Sequence, residues 1–224
     1  TYPTIQQCFY LYPDKDYFLT DVFLLSSGTS KIESNYIAPI YTETQNRFLP
    51  QDANNRFLFV PFDNDGFITY GSLPLSRGID PTSLGVGRYA RDTISFEVTS
   101  IFNGETQEGL VIGSVEHDTW KSAIRMTGSP LSQAYINKLE CYSGATHSIT
   151  RDATDNNWLQ PHGAVKGTKI KSARMLVGLF DDWRTGMETF GDVNALIAPK
   201  REWNNPTPFG WNSWGGMERN INFD

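Results

Sequence analysis

Short runs of apolar and aromatic residues, each closed by a polar turn, fill the first hundred positions of this chain. They read CFYLY at 8–12, YFLTDVFLL at 17–25, SNYIAPIY at 34–41, NRFLFVPF at 55–62, GFITYG at 66–71 and TISFEVTSIF at 93–102. Runs this short, rich in aromatic and β-branched residues and separated by turn signals, are strands of a sandwich or barrel rather than turns of a bundle helix. Fourteen Phe, ten Tyr and six Trp supply packing surface for such strands, and nineteen Gly and twelve Pro supply their turns. With 224 residues, 39% of them hydrophobic, the chain has the material for a sizeable core.

Charge and hydropathy narrow the function classes. Nineteen Lys and Arg against twenty-five Asp and Glu leave a net charge of −6, which argues against a nucleic-acid footprint or a broad attraction to anionic membrane. No run approaches the 18 apolar residues of a spanning helix, and no basic-then-apolar signal segment opens the chain. The expectation is a soluble protein, cytoplasmic or else secreted or periplasmic after removal of a signal. Asn205-Pro206-Thr207 is excluded as a glycosylation acceptor by its central proline. Cys8 and Cys141 allow one disulfide or two buried thiols, and neither has zinc-ligand spacing.

Local patterns place the remaining elements. Phe57–Val60 reads as a strand stopped by Pro61, and Phe62-Asp63-Asn64-Asp65-Gly66 as a turn into Phe67–Tyr70. The acidic turn lacks the ligand spacing and closing glutamate of an EF-hand. Pro74–Arg91 is a Gly, Pro and Ser-rich loop whose GVG has neither the strand-to-helix context of a Rossmann loop nor the Lys of a P-loop. Alternation from Thr93 to Ser100 predicts one strand with Ile94, Phe96 and Val98 on its apolar face. LVIGSVEHDTW predicts another that ends on Glu116, His117 and Asp118. Pro130–Ala145 has room for a short helix, although Gly144 and the polar segment beyond it return the reading to strand and loop. Met175–Phe180 reads as a buried strand, and Asp181 and Asp182 open a helix over Trp183–Leu196 that Gly186 and Gly191 weaken.

Several residues invite chemistry, each with a plainer alternative. Glu116, His117 and Asp118 would make an acid, base and orienter set, but neighbours on a strand point to opposite faces and cannot converge without a bend. A solvated strand end is the simpler reading. His117, His147 and His162 form no short-spaced metal pair. Trp120 is read as core before sugar platform. Asp152, Asp155 and Asn156 give their loop the composition of a binding lip or of a hydrophilic turn. Lys166, Lys169, Lys171 and Arg174 are expected to face water. Asp181 and Asp182 are too close in sequence for the opposed carboxylates of glycoside chemistry.

After Pro199 the composition changes to REWNNPTPFGWNSWGGMERNINFD, in which Pro206 and Pro208 stiffen a linker before an aromatic segment. PFGWNSWGG, with Gly210-Trp211-Asn212-Ser213-Trp214 at its centre, resembles the opening strand of the catalytic barrel in the alpha-galactosidase-related, melibiase-like glycoside hydrolases. The stretch from Thr93 through Trp120 and the segment GLFDDWRTGMETFGDVNALIAPKREW resemble the end of the N-terminal domain in the same group, so about three quarters of the chain fits.

That resemblance implies an all-β fold, a large antiparallel supersandwich over residues 1–199, followed over 200–224 by a linker and the truncated start of a (β/α)8 barrel. It implies a parent enzyme that is a retaining hydrolase of alpha-linked galactosides or a related carbohydrate, with two barrel aspartates as nucleophile and acid/base. No residue of this chain matches those aspartates. Such a barrel needs about 250 residues, whereas sixteen follow Pro208, so the chain alone is expected to be inactive. Trp211, Asn212 and Trp214 are the substrate-binding candidates, Trp211 offering a flat ring and an indole N–H to a sugar. No catalytic residue, metal or cofactor is expected. The expected partners are the missing C-terminal barrel and, through it, a carbohydrate, with no nucleic acid and no membrane; an exposed sheet edge or barrel-facing patch could also drive homo-oligomerisation. A carbohydrate-binding module and a structural interaction domain are the alternatives.

Overall fold

A computed structural model describes residues 2–46, 49–50, 52–60, 71–75, 92–128, 136–144, 163–210 and 220. In chain order the strands are β1 (Thr4–Leu11), β2 (Tyr17–Leu25), β3 (Ile32–Ser34), β4 (Ile37–Asn46), β5 (Asn55–Phe59), β6 (Gly71–Pro74), β7 (Asp92–Phe96), β8 (Val98–Asn103), β9 (Gly109–Ser114), β10 (Ser122–Gly128), β11 (Ile136–Ser143), β12 (Val165–Gly167), β13 (Lys169–Lys171) and β14 (Met175–Phe180). Helix α1 (Trp183–Ile197) follows. The all-β fold expected from the strand cadence is what the chain forms, and of the sandwich and barrel that the cadence allowed it is the sandwich.

An eight-stranded sheet runs β1-β2-β14-β9-β8-β5-β6, with β13 also paired to β2; a four-stranded sheet runs β4-β11-β10-β7, and β12 pairs β3. Every described pairing is antiparallel. The period-2 alternation of the strands sorts residues between two cores. Phe57, Ile101, Ile112 and Met175 of the large sheet meet Ile124, Met126, Leu139 and Cys141 of the small one. Leu19, Val111, Leu176 and Phe180, on the opposite face of the large sheet, pack against Met187, Phe190 and Val193 of α1. The centre of the large sheet is therefore buried on both sides, with all six residues of β9 buried, while the edge strand β1 stays largely exposed. Each large apolar side chain fully withdrawn from water there contributes roughly 1.5–3 kcal/mol.

Glycine lets α1 lie close to the sheet. A Cβ at Gly186 would fall 2.5 Å from Phe180 Cδ2 and 2.7 Å from Val111 Cγ2, and one at Gly113 would fall 2.4 Å from Phe190 Cε2. The glycine that weakens the helix pattern in sequence is thus the residue that allows its packing. Asp182 caps the helix by accepting the Arg184 amide at 2.9 Å, as its position suggested.

The segment TISFEVTSIF departs from the alternation read along it. It is two strands, β7 in the small sheet and β8 in the large one, and the change of sheet occurs at Glu97, whose φ is 65°. The Glu97 amide donates to Ser122 O of β10 at 3.2 Å, while its carbonyl accepts from Ser114 N of β9 at 2.7 Å. A left-handed residue interrupts the period, so Phe96 packs with Ala123 and Tyr142 whereas Val98 joins Val111 and Val115. Residues 136–143, within the stretch given room for a short helix, are strand β11. Strand β5 does enter an antiparallel pair, with β6 from Gly71; the turn at 62–66 and the run 67–70 lie outside the described residues. Both cysteines are free, Cys8 half-buried and Cys141 buried. No helix among the described residues is long and apolar enough to cross a membrane.

Candidate functional site

Strand β9 ends at Ser114, and the three residues beyond Val115 diverge beside the C-terminal end of α1. They border a cleft of about 520 Å³ whose walls include Glu116, His117, Asp118, Trp120, Lys171 and Ile197. Divergence of the three side chains agrees with the strand geometry, but two of them do more than end a strand in water.

Glu116 turns towards β13 and the residues after it. Lys171 Nζ lies 2.5 Å from its Oε2, the Arg174 amide donates to the same oxygen at 3.2 Å, and the Glu116 side chain is only 18% exposed. Behind this pair sits Asp21 of β2, fully buried, with Arg174 Nη2 and Nε at 2.8 and 2.9 Å and Lys171 Nζ at 3.5 Å from its Oδ2. Tyr10 of β1 donates its O–H to Asp21 Oδ1 at 3.2 Å, and the Arg174 guanidinium covers the Tyr10 ring at 4.3 Å. Burial and the Asp21 charge push the Tyr10 hydroxyl above its ordinary range. A buried carboxylate is costly unless paired and hydrogen-bonded, and two cations and a phenol meet that need here. Lys171 and Arg174, expected to face water, instead close a charge network; Lys166 and Lys169 are exposed as expected, Lys166 pairing with Glu33 at 2.9 Å. Lys169 lies over the Phe23 ring at 4.1 Å.

His117 turns the other way. Its Nδ1 is 2.7 Å from Glu97 Oε2 and its Nε2 is 2.7 Å from Asn194 Oδ1 of α1. The Asn194 amide nitrogen is spent on Phe190 O at 2.8 Å, so its oxygen faces the ring as an acceptor. A carboxylate on one nitrogen and an amide oxygen on the other call for two N–H donors, the imidazolium form. The bond to Glu97 raises the His117 pKa, burial opposes it, and the Asn194 bond adds to the rise. The ring therefore ties the sheet-switching residue to the last turn but one of α1.

Trp120 is 4% exposed and packs with Val22, Ile37 and Ile170, with its indole N–H donating to Lys171 O at 2.6 Å. The core reading holds for it. Trp211, Asn212 and Trp214 lie outside the described residues, as do His147, Asp152, Asp155, Asn156 and His162. Among the described residues, no group of three His, Cys, Asp or Glu side chains is placed to hold a metal ion. Asp21, Glu97, Tyr10 and Asn194 carry no local motif; only the three-dimensional pairing brings them to Lys171, Arg174 and His117. The arrangement binds charge to charge and fixes the helix end, and no described residue pair is set up as nucleophile and base.

No family model matches the chain, and no curated protein sequence matches it. Among solved structures the chain is similar to that of a provisionally named aldose 1-epimerase from Klebsiella pneumoniae subsp. pneumoniae MGH 78578. The identity is 13% and the TM-score 0.41, over 94% of this chain and 55% of the other, so the chain spans about half the length of that protein.

Proposed function

We propose that this chain is a non-catalytic sandwich domain of a carbohydrate-active enzyme of the alpha-galactosidase-related type, built to support a (β/α)8 barrel that follows it. The observation that carries the reading is the way the chain leaves the sandwich. Helix α1 lies on the large sheet through Val193, yet Leu196 and Ile197 at its end are 81% and 40% exposed, and in the extended segment beyond it Trp203 and Phe209 are 61% and 100% exposed. Residues 199–210 have no strand or helix. Large apolar side chains grouped around a helix end and an extended exit segment suit an interdomain face.

The domain division at residues 199 and 200 belongs to the same proposal, as does the sugar-facing role of Trp211, Asn212 and Trp214 in the complete enzyme. The resemblance carried by Gly210–Trp214 supports an alpha-linked galactoside as the parent's substrate. The charge network at Glu116 serves this function by holding β2, β13 and the end of β9 together behind the helix that meets the barrel. The test is the coding sequence downstream of Asp224 together with hydrogen exchange in the longer protein. The proposal expects a barrel-sized continuation and slowed exchange at 196–209 relative to Thr1–Asp224. A reading frame that stops at Asp224, or unchanged exchange, would overturn it.

A further inference from the structure

The outer face of the small sheet carries a second cluster that the supporting role does not use. Along β4 and β11, cross-strand register sets Tyr41 opposite Glu140 and Glu43 opposite Lys138. Glu140 is buried, and it accepts the O–H of Tyr36, the residue just before β4, on one oxygen while Lys138 Nζ lies 3.3 Å from the other. Tyr41 donates its O–H to Glu43, and Lys138 also stands 4.9 Å from the centre of the Tyr41 ring. Tyr36 packs against Tyr142 with ring centroids 5.6 Å apart. Tyr36 and Tyr41 nevertheless remain 43% and 52% exposed.

We propose that this strip binds a neutral saccharide, with Tyr36 and Tyr41 as apolar platforms and Lys138 and Glu43 as its polar contacts. Three features favour that ligand class. Two half-exposed rings offer flat apolar area to the C–H face of a pyranose. Both phenol hydrogens are committed to carboxylates, which leaves phenol oxygens and Glu43 as acceptors beside the Lys138 donors, a mixture suited to hydroxyls that both give and take hydrogen bonds. The strip also carries both signs of charge, with Lys138 beside Glu43 and Glu140 and Arg125 opposite Glu140 on β10, which does not single out an anion or a cation. Glu140 acts as a positioning residue, since it fixes Tyr36 and Lys138 from below, and side chains held before binding lose less freedom when a ligand arrives.

This site is independent of the barrel-supporting role, and so is its test. The full chain is titrated by NMR with glucose, galactose, maltose and melibiose, and with glucuronate and glucosamine as charged counterparts. The proposal expects saturable shifts confined to Tyr36, Tyr41 and the amides of β4 and β11 with one or more neutral sugars. Tyr41→Ala should weaken that binding about tenfold, the equivalent of one stacking contact, while Tyr41→Phe keeps most of it. Because Tyr41 is half exposed, both variants should retain the wild-type amide spectrum elsewhere. Absence of saturable shifts in the strip, equal affinity in Tyr41→Ala, or preference for a charged sugar would overturn the proposal.

Discussion

His117 Nε2 lies 2.7 Å from Asn194 Oδ1, which joins the end of strand β9 to the C-terminal half of α1 through one side-chain bond. The opposite ring nitrogen is held by Glu97 at the point where the chain changes sheets. The contact with Glu97 is an ion pair only while the ring is protonated, so the link is complete only in the charged form.

This gives a pH dependence with a definite sign. Glu97 from the β7–β8 junction, Asn194 from α1 and Asp118 beside the ring all raise the His117 pKa above the ordinary 6.5, against the pull of partial burial. A raised folded value means that the stabilisation is fully present below the unfolded pKa and is lost as pH rises through the folded one. Amide exchange at 193–198, corrected for its intrinsic pH dependence, should therefore accelerate over that interval, and the ring resonances of His117 should titrate above the usual histidine value. In His117→Gln the extra acceleration should vanish. Exchange that stays flat across the His117 titration would contradict the link.

Asp21 gives the largest single stability effect in the charge network. Asp21→Ala leaves Arg174 and Lys171 without their buried carboxylate, and breaking such a pair by removing one partner costs roughly 3–5 kcal/mol. Urea unfolding followed by tryptophan fluorescence measures it. A change below about 1 kcal/mol, the ordinary value of an exposed pair, would show that Asp21 is not held as described.

The closeness of α1 to the sheet is tested at Gly186. Its added methyl in Gly186→Ala would meet Phe180 and Val111 inside normal contact distance, so a change that favours an isolated helix should here destabilise the protein by roughly 1–3 kcal/mol. Gly191→Ala, with nothing within 4 Å of the new carbon, should be neutral or stabilising. The pair of urea midpoints separates packing from propensity, and equal shifts in the two variants would count against the packing account.

Much of the fold was readable along the chain, and the losses have a common cause. YFLTDVFLL at 17–25 and Met175–Phe180 coincide with β2 and β14, and the helix from Trp183 runs one residue past its expected end. Those elements are set by local period and by a cap. TISFEVTSIF reads as one strand because alternation carries no mark of the left-handed Glu97 that divides it. Lys171 and Arg174 read as solvent-facing in the sequence because their partners are remote, with Asp21 153 positions from Arg174. The cleft at Glu116 shares that reason: its residues were visible one by one, while their convergence depends on β2, β9, β13 and α1 being neighbours.

Cysteine reactivity follows from the two environments. Burial drives the Cys141 thiol far above its ordinary pKa, so little thiolate is available there, whereas Cys8 is half-buried on β1. A thiol reagent at neutral pH should modify Cys8 in the native protein and reach Cys141 only on unfolding. Mass spectrometry of the peptides decides it, and rapid native labelling of Cys141 would contradict the inter-sheet core as described.

The proposed role, support of a catalytic barrel by a chain that does no chemistry alone, is open to a direct test. Aryl alpha-galactoside hydrolysis should be measured side by side on purified Thr1–Asp224 and on the product of the uninterrupted reading frame that contains it. Hydrolysis by the longer protein and none above background by Thr1–Asp224 is the expected result. Turnover by Thr1–Asp224 itself, undiminished after further purification, would contradict it.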